Sequence, residues 1–263
     1  MCRILAYLGA PIQLEALLYE PEHSLVVQSY EPREMTSGVV NADGFGVAWY
    51  HPQRETSPFI YKNILPIWSD VNLPELSRYV ETSCFMANIR SATAGQAVDL
   101  SNCQPFKRDR LLFTHNGLIE NFGQTLHRPI RDRLQDSIYQ QIQGSTDSEH
   151  ILALFQETRD SLPNASLETL LHKTLITLTE LATPLSIKVS ANIILSDGKR
   201  LVASRFALNT SAPSLYWLQT PSEISTNTLI ASEPLFEAKW ERCPENSILS
   251  VGEDFETRIN PIL

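Results

Sequence analysis

The chain of 263 residues is 43% hydrophobic, enough to bury a full core in one large domain. Its formal net charge of −9 and isoelectric point near 5.2 exclude the clustered Lys and Arg that a nucleic-acid or anionic-lipid surface needs, and point to small-molecule partners. We read a single domain over residues 2–263.

Taken in chain order, the first informative residue is Cys2, next to the initiator Met1. Trimming of Met1 gives one residue both a thiol and a free α-amine, hence a nucleophile and a base. A second-position cysteine is also a common small hydrophobe. Residues 3–8 follow as an apolar strand, and 13–18 have helical spacing. Asn41-Ala42-Asp43-Gly44-Phe45-Gly46 is a polar turn feeding a strand at 44–50, its glycines permitting close backbone approach. It lacks the pattern of a phosphate-binding loop. A strand at 59–62, a helix at 73–80 and a strand at 84–89 lead to Arg90, whose guanidinium fork suits a carboxylate as well as it suits solvent at a strand end.

The apolar run 111–115 ends in His115-Asn116-Gly117. The Asn amide and the Gly N–H could face the oxygen of an attacked carbonyl, as an oxyanion hole requires. The same dipeptide is a strong hairpin signal, so the strand is expected to end here. Thr146-Asp147-Ser148-Glu149 fits a helix capping box ahead of a helix at 147–158, with Asp147 at the helix start and able to hold an ammonium group. Residues 161–166 form a turn to a second helix at 167–181, with Leu167, Leu170, Leu171, Leu175, Leu178 and Leu181 on one face. Strands follow at 189–195, 201–206, 214–218 and 229–232, the first two joined by an Asp197-Gly198 hairpin turn. Helices inserted between strand sets, without βαβ alternation, predict an α+β fold of antiparallel sheets covered by helices.

Cys2, Cys84, Cys103 and Cys243 form no C-x-x-C pair or Cys/His grouping, so no metal site, zinc or other, and no redox motif is indicated. Reduced thiols fit the cytosol, and neither a membrane-spanning run nor a signal peptide is visible. Trp49, Trp68, Trp217 and Trp240 read as core or pocket-wall rings, and the histidines other than His115 as surface or helix residues.

Together, Cys2, Asp43-Gly44-x-Gly46, Arg90-Ser91-Ala92-Thr93, His115-Asn116-Gly117 and Asp147 resemble the class II glutamine amidotransferases, within the N-terminal nucleophile hydrolases. The resemblance covers roughly the first 150 residues in the family's order. It implies a four-layer αββα sandwich of two mainly antiparallel sheets between helix layers. It further implies that Cys2 is nucleophile and, through its amine, base. Asn116 and Gly117 would form the oxyanion hole, and Arg90, Thr93 and Asp147 would bind the glutamyl carboxylate and amine, with His115 supporting Asn116. Val27-Gln28-Ser29-Tyr30-x-Pro32-Arg33, Pro66-x-Trp68-x-Asp70 and Ala231-Ser232-Glu233-Pro234 are similar to the ergothioneine-biosynthesis amidohydrolase branch. That branch implies hydrolysis of γ-glutamyl-hercynylcysteine S-oxide. Related stand-alone enzymes act on glutathione and other γ-glutamyl compounds, and a glutaminase subunit feeding ammonia to a synthase is a further possibility, as is a homo-oligomer. No cofactor is implied.

Overall fold

The computed structural model describes residues 1–35, 38, 40–51, 57–92, 96–221 and 226–262. The first sheet joins β1 (Arg3–Gln13), β2 (Phe45–Trp49), β3 (Phe59–Asn63), β4 (Glu81–Ile89), β10 (Tyr216–Pro221), β11 (Thr226–Ala231) and β12 (Glu241–Arg242) in the order β12-β10-β11-β1-β4-β2-β3. The second joins β5 (Phe106–Arg108), β6 (Leu111–Ile119), β7 (Val189–Ser196), β8 (Leu201–Arg205), β13 (Ser247–Val251) and β14 (Thr257–Pro261) in the order β14-β13-β8-β7-β6-β5, with β9 (Ala207–Leu208) beside β7. Every pairing is antiparallel.

Strand alternation sorts the side chains into layers. Leu5 and Tyr7 of β1 and Phe85, Ala87 and Ile89 of β4 face an outer core. There they meet α1 (Glu15–Leu18), α2 (Leu25–Tyr30) and α3 (Leu73–Tyr79) through Leu17, Leu18, Leu25 and Leu73. Ile4, Ala6, Cys84 and Met86 face inward and pack against Leu112, Ile194, Ala203 and Leu249 of the second sheet. The far side of that sheet, with Phe113, Ala191, Ile193 and Val202, packs on α6 (Asp147–Ser161) and α7 (Leu167–Ala182) through Ile151, Leu154, Phe155, Leu171, Leu175 and Leu178. Three cores between four layers give the expected helix-sheet-sheet-helix sandwich.

The expected strands and the two long helices are present, and Asp197-Gly198 turns β7 into β8 with Gly198 at φ 89°. Asn116-Gly117 departs from expectation. The strand does not end at His115; β6 runs through to Ile119, held by eight successive pairs with β7 from Leu112↔Ser196 to Ile119↔Val189. An Asn-Gly pair turns a chain only where the flanking runs can fold back on each other, and here β7 supplies a partner instead. Three short helices, α2, α4 (His127–Arg131) and α5 (Asp136–Tyr139), and the strands β5, β9, β12, β13 and β14 carry too few patterned residues to announce themselves. Trp68 is 44% exposed, stacked edge-on against Tyr30 and not in the core. His23 and His150 are buried, contrary to a surface reading for His23.

Candidate active site

Cys2 immediately precedes β1, and its parity with Ile4 and Ala6 aims it between the sheets. Two cross-sheet hydrogen bonds fix what lies opposite. Cys84 Sγ is 3.3 Å from Ser196 Oγ, beside Leu112, and Asn88 Nδ2 donates to Thr114 Oγ1 at 2.9 Å. Two residues beyond Asn88 on the first sheet comes Arg90, near Cys2 at the head of β1, and two residues beyond Thr114 on the second comes Asn116. Cys2 is half-buried with Sγ 4.0 Å from the Ser91 carbonyl, and burial pushes its thiol pKa up. The Met1 carbonyl accepts from Asn41 Nδ2 at 2.6 Å, and burial lowers the Met1 amine below its ordinary value.

The start of β1 is anchored by a buried carboxylate. Glu233 accepts from Arg3 Nη1 at 2.7 Å, from the Arg33 N–H at 2.8 Å and from the Glu34 N–H at 2.9 Å, and contacts His23 Nε2 at 2.7 Å. Burial alone would raise its pKa, but these donors hold the carboxyl below its usual range. Ser232 adds a reciprocal clamp, its Oγ accepting from the Ile4 N–H at 3.0 Å and its own N–H donating to the Ile4 carbonyl at 2.9 Å.

Each backbone donor on the outer edge of β6 needs an acceptor. Residues 113, 115, 117 and 119 point their N–H groups to that edge, since the even residues face β7: Leu118 donates to Ser190 Oγ and Glu120 to the Lys188 carbonyl. Phe113 pairs with Phe106 of β5. His115 N–H donates to Gln104 Oε1 at 2.6 Å, while Gln104 Nε2 donates back to the His115 carbonyl at 3.2 Å, so one side chain replaces a missing strand. Ile119 N–H donates to Asp147 Oδ2 at 2.8 Å. Gly117 lies between them with no acceptor among the described residues. Its partner Ala191 sends its own N–H the other way, to Phe206. A Cβ at Gly117 would collide with the Ser190 carbonyl oxygen, so only glycine fits. The adjacent Asn116 is fully buried, and among the described residues neither its amide nitrogen nor its amide oxygen has a partner.

Arg90 is 3% exposed, with Nη1 3.4 Å from the Asp43 carbonyl and Nη2 3.3 Å from Gln96 Oε1. Among the described residues no carboxylate pairs with it, so its charge is held by neutral oxygens alone. Asp43 instead accepts from the Ala92 N–H at 2.8 Å, tying down the chain just after Arg90. Asp147 sits at the first turn of α6, capped by Thr146, whose Oγ1 accepts from the Glu149 N–H at 3.3 Å. The second half of the capping box is not made. Glu149 turns to the Gln143 and Gly144 N–H groups instead, at 3.0 and 2.6 Å. Asp147 and Gln96 line one cavity of about 540 Å³ with Leu118, Ile119, Phe122 and His127. A second cavity, of about 460 Å³, touches the first at Leu118 and is lined by Met1, Glu120, Lys188, Ser190 and Ser211.

His115 faces away from Asn116, toward α6. Its Nδ1 is 2.8 Å from Ser148 Oγ and its Nε2 3.2 Å from the Ser190 carbonyl, so Nε2 carries the proton and Ser148 donates. Burial lowers its pKa, against the pull of Asp147. The ring therefore braces β6 and α6. Thr93 falls outside the described residues. Sequence reasoning missed Gln104, Ser148 and Asn41, polar residues whose role is set by partners 11, 33 and 40 residues away. Gln104 and Ser148 meet at His115 while Asn41 lies apart at Met1, and none carries a local pattern that could have signalled it.

A sandwich of two antiparallel sheets between helix layers, with a second-position cysteine at the head of a central strand, is the N-terminal nucleophile hydrolase architecture. The chain belongs to the class-II glutamine amidotransferases: residues 15–213 match that family. It is 33% identical to the probable glutamine amidotransferase DUG3 of Saccharomyces cerevisiae, over 95% of this chain and 82% of the yeast protein. It is 27% identical to the gamma-glutamyl-hercynylcysteine sulfoxide hydrolase of Mycolicibacterium smegmatis, over 96% of both. Among solved structures, a glutamine aminotransferase class-II domain protein from Silicibacter pomeroyi matches with a TM-score of 0.70 over 98% of both chains, at 25% identity. The glutamine phosphoribosylpyrophosphate amidotransferase of B. subtilis shares the fold at a TM-score of 0.67 and 13% identity, with this chain spanning 49% of it.

Proposed function

We propose that the protein hydrolyses a γ-glutamyl amide with Cys2 as nucleophile after removal of Met1, and that its substrate is γ-glutamyl-hercynylcysteine S-oxide. The observation that carries the catalytic reading is the donor pair at 116–117. An unpaired buried amide costs about 1–3 kcal/mol, so a site that keeps Asn116 buried without a partner is suited to a ligand oxygen that completes it. The mycobacterial relative supports the choice of substrate.

In this reading the Cys2 α-amine takes the thiol proton and Sγ attacks the γ-carbonyl carbon. Asn116 Nδ2 and the Gly117 N–H stabilise the oxyanion. Collapse expels the amine, which leaves with the proton held by the α-ammonium. Water then attacks the thioester, the α-amine again accepting a proton, and glutamate leaves. Arg90 grips the glutamyl carboxylate and Asp147 its ammonium, across the cavity that Gln96 and Asp147 share. A thiol that burial pushes up needs such a base.

The yeast relative, a probable glutamine amidotransferase matched over 95% of this chain, favours a second reading in which glutamine itself is the substrate. Glutamate release from γ-glutamyl-hercynylcysteine S-oxide, glutathione and glutamine, measured side by side on Met1-trimmed protein, separates these readings. Preference for the first compound supports the proposal, and preference for glutathione or glutamine replaces its substrate. Cys2→Ala is expected to abolish release in every case; substantial residual hydrolysis would remove Cys2 as nucleophile.

A further inference from the structure

Asn41 is fully buried, and its place is fixed by its own N–H, which donates to the Ser29 carbonyl at 2.7 Å. Among the described residues its side chain makes one hydrogen bond, Nδ2 donating to the Met1 carbonyl at 2.6 Å, while Oδ1 is buried without a partner. That arrangement is costly and is spent on an oxygen that disappears when the Met1–Cys2 bond is hydrolysed. The group left in its place is the Cys2 α-amine, a donor where an acceptor had been. A carboxamide can meet either by rotating half a turn, since its oxygen and nitrogen are nearly the same size.

We propose that Asn41 is a positioning residue for the N-terminal base, its carboxamide oxygen accepting from the freed Cys2 α-amine and aiming the nitrogen lone pair at the thiol. The inference rests on the reading of Cys2 as an N-terminal nucleophile. It also gives the orphaned oxygen a partner. Near the Met1 amine, one residue ahead, stand the Cys2 thiol, the Arg3 guanidinium on β1, drawn off by Glu233, and the Asp43 carboxylate before β2, while the Arg90 guanidinium after β4 lies near that thiol. At the Met1 amine burial first, and then Arg3, oppose the ammonium, while the thiol and Asp43 favour it. With those groups unchanged, an acceptor at Asn41 favours the Cys2 ammonium, and its loss does the reverse.

The test is the pH dependence of α-amine acetylation by acetic anhydride, followed by the mass of the N-terminal peptide in the trimmed protein. Asn41→Asp, which keeps the side-chain shape, is expected to move the midpoint up by about one unit or more, and Asn41→Ala to move it down. With the substrate proposed above, Asn41→Ala should lower kcat while leaving KM near its normal value. An Asn41→Ala midpoint equal to that of the unsubstituted protein overturns the proposal, as does retention of Met1 in the purified protein. Should Asn41→Ala not fold, Asn41→Asp decides, an unchanged midpoint overturning it. Midpoints that shift as expected in a protein that releases no glutamate would uphold Asn41 and defeat the proposed function instead.

Discussion

At the scale of single residues, the candidate site is a set of buried polar groups left deliberately short of partners. Among the described residues, Asn116 has neither end of its amide satisfied, Arg90 has no carboxylate, and the Gly117 N–H is the one donor on its edge of β6 without an acceptor. Replacing Asn116 by Ala should leave the fold intact, because no protein bond is lost, while lowering kcat by about 10²–10³-fold, the usual effect of one oxyanion donor. Steady-state kinetics beside a thermal melt checks this; an unchanged kcat would take Asn116 out of the mechanism. Arg90→Lys keeps the charge but loses the planar fork. We expect KM to rise by roughly tenfold or more, the worth of a charge-assisted hydrogen bond, with a normal KM arguing against carboxylate binding.

At the scale of elements, the site depends on how α6 meets β6. Thr146 caps the helix, Asp147 reaches the Ile119 N–H, Ser148 holds His115, and His150 is pinned between the Thr146 carbonyl at 2.7 Å and Arg131 Nε at 2.9 Å. His150 must be neutral to accept from Arg131, and burial first, with Arg131 and His127 adding to it, brings its pKa down to about 4. The unfolded chain, with an ordinary histidine pKa near 6.5, then binds more protons than the folded one between those two values. Stability from this residue is complete above about pH 6.5 and is lost as pH falls toward 4, by about 3 kcal/mol in all. His115 and His127, also lowered, add in the same direction. Melting temperatures from pH 7 to pH 4.5 should fall, and His150→Asn should reduce that fall. Equal slopes in the two proteins would mean that the acid sensitivity lies elsewhere.

At the scale of the whole molecule, two sheets pressed face to face share a core built in part by β1, β4 and β6, the strands that begin or end near residues 2, 90 and 116. That core mixes small and medium side chains, Ala6, Ala48, Cys84, Met86, Ile194 and Ala203 among them, with the ring of Tyr50. Close packing of this kind leaves little room to relax around a cavity. Ile194→Ala, on the central strand β7, should therefore destabilise the protein by about 2–5 kcal/mol, read as a lower denaturant midpoint. A loss under about 1 kcal/mol would show that the sheets slide closer to fill the gap. Among the described residues no helix is long and apolar enough to cross a membrane.

The local pattern along the chain was enough to specify the strands that alternate in polarity, the two long amphipathic helices, the Asp197-Gly198 turn and the Thr146 cap, because each is fixed by interactions within a few residues. The short ordered motifs likewise pointed to the family, since Cys2, Arg90, Asn116, Gly117 and Asp147 are unusual in combination. Whether Asn116-Gly117 turned or ran on was not a local matter. Eight pairs with β7, more than seventy residues away, outweighed a preference that only an unpartnered chain expresses. The same holds for Gln104 standing in for a strand, for Glu233 gathering Arg3, His23 and the 33–34 backbone, and for Asn41 at Met1. Polar residues carry no periodic signature of their partners, and burial, which makes those partnerships obligatory, exists only once the two sheets have closed.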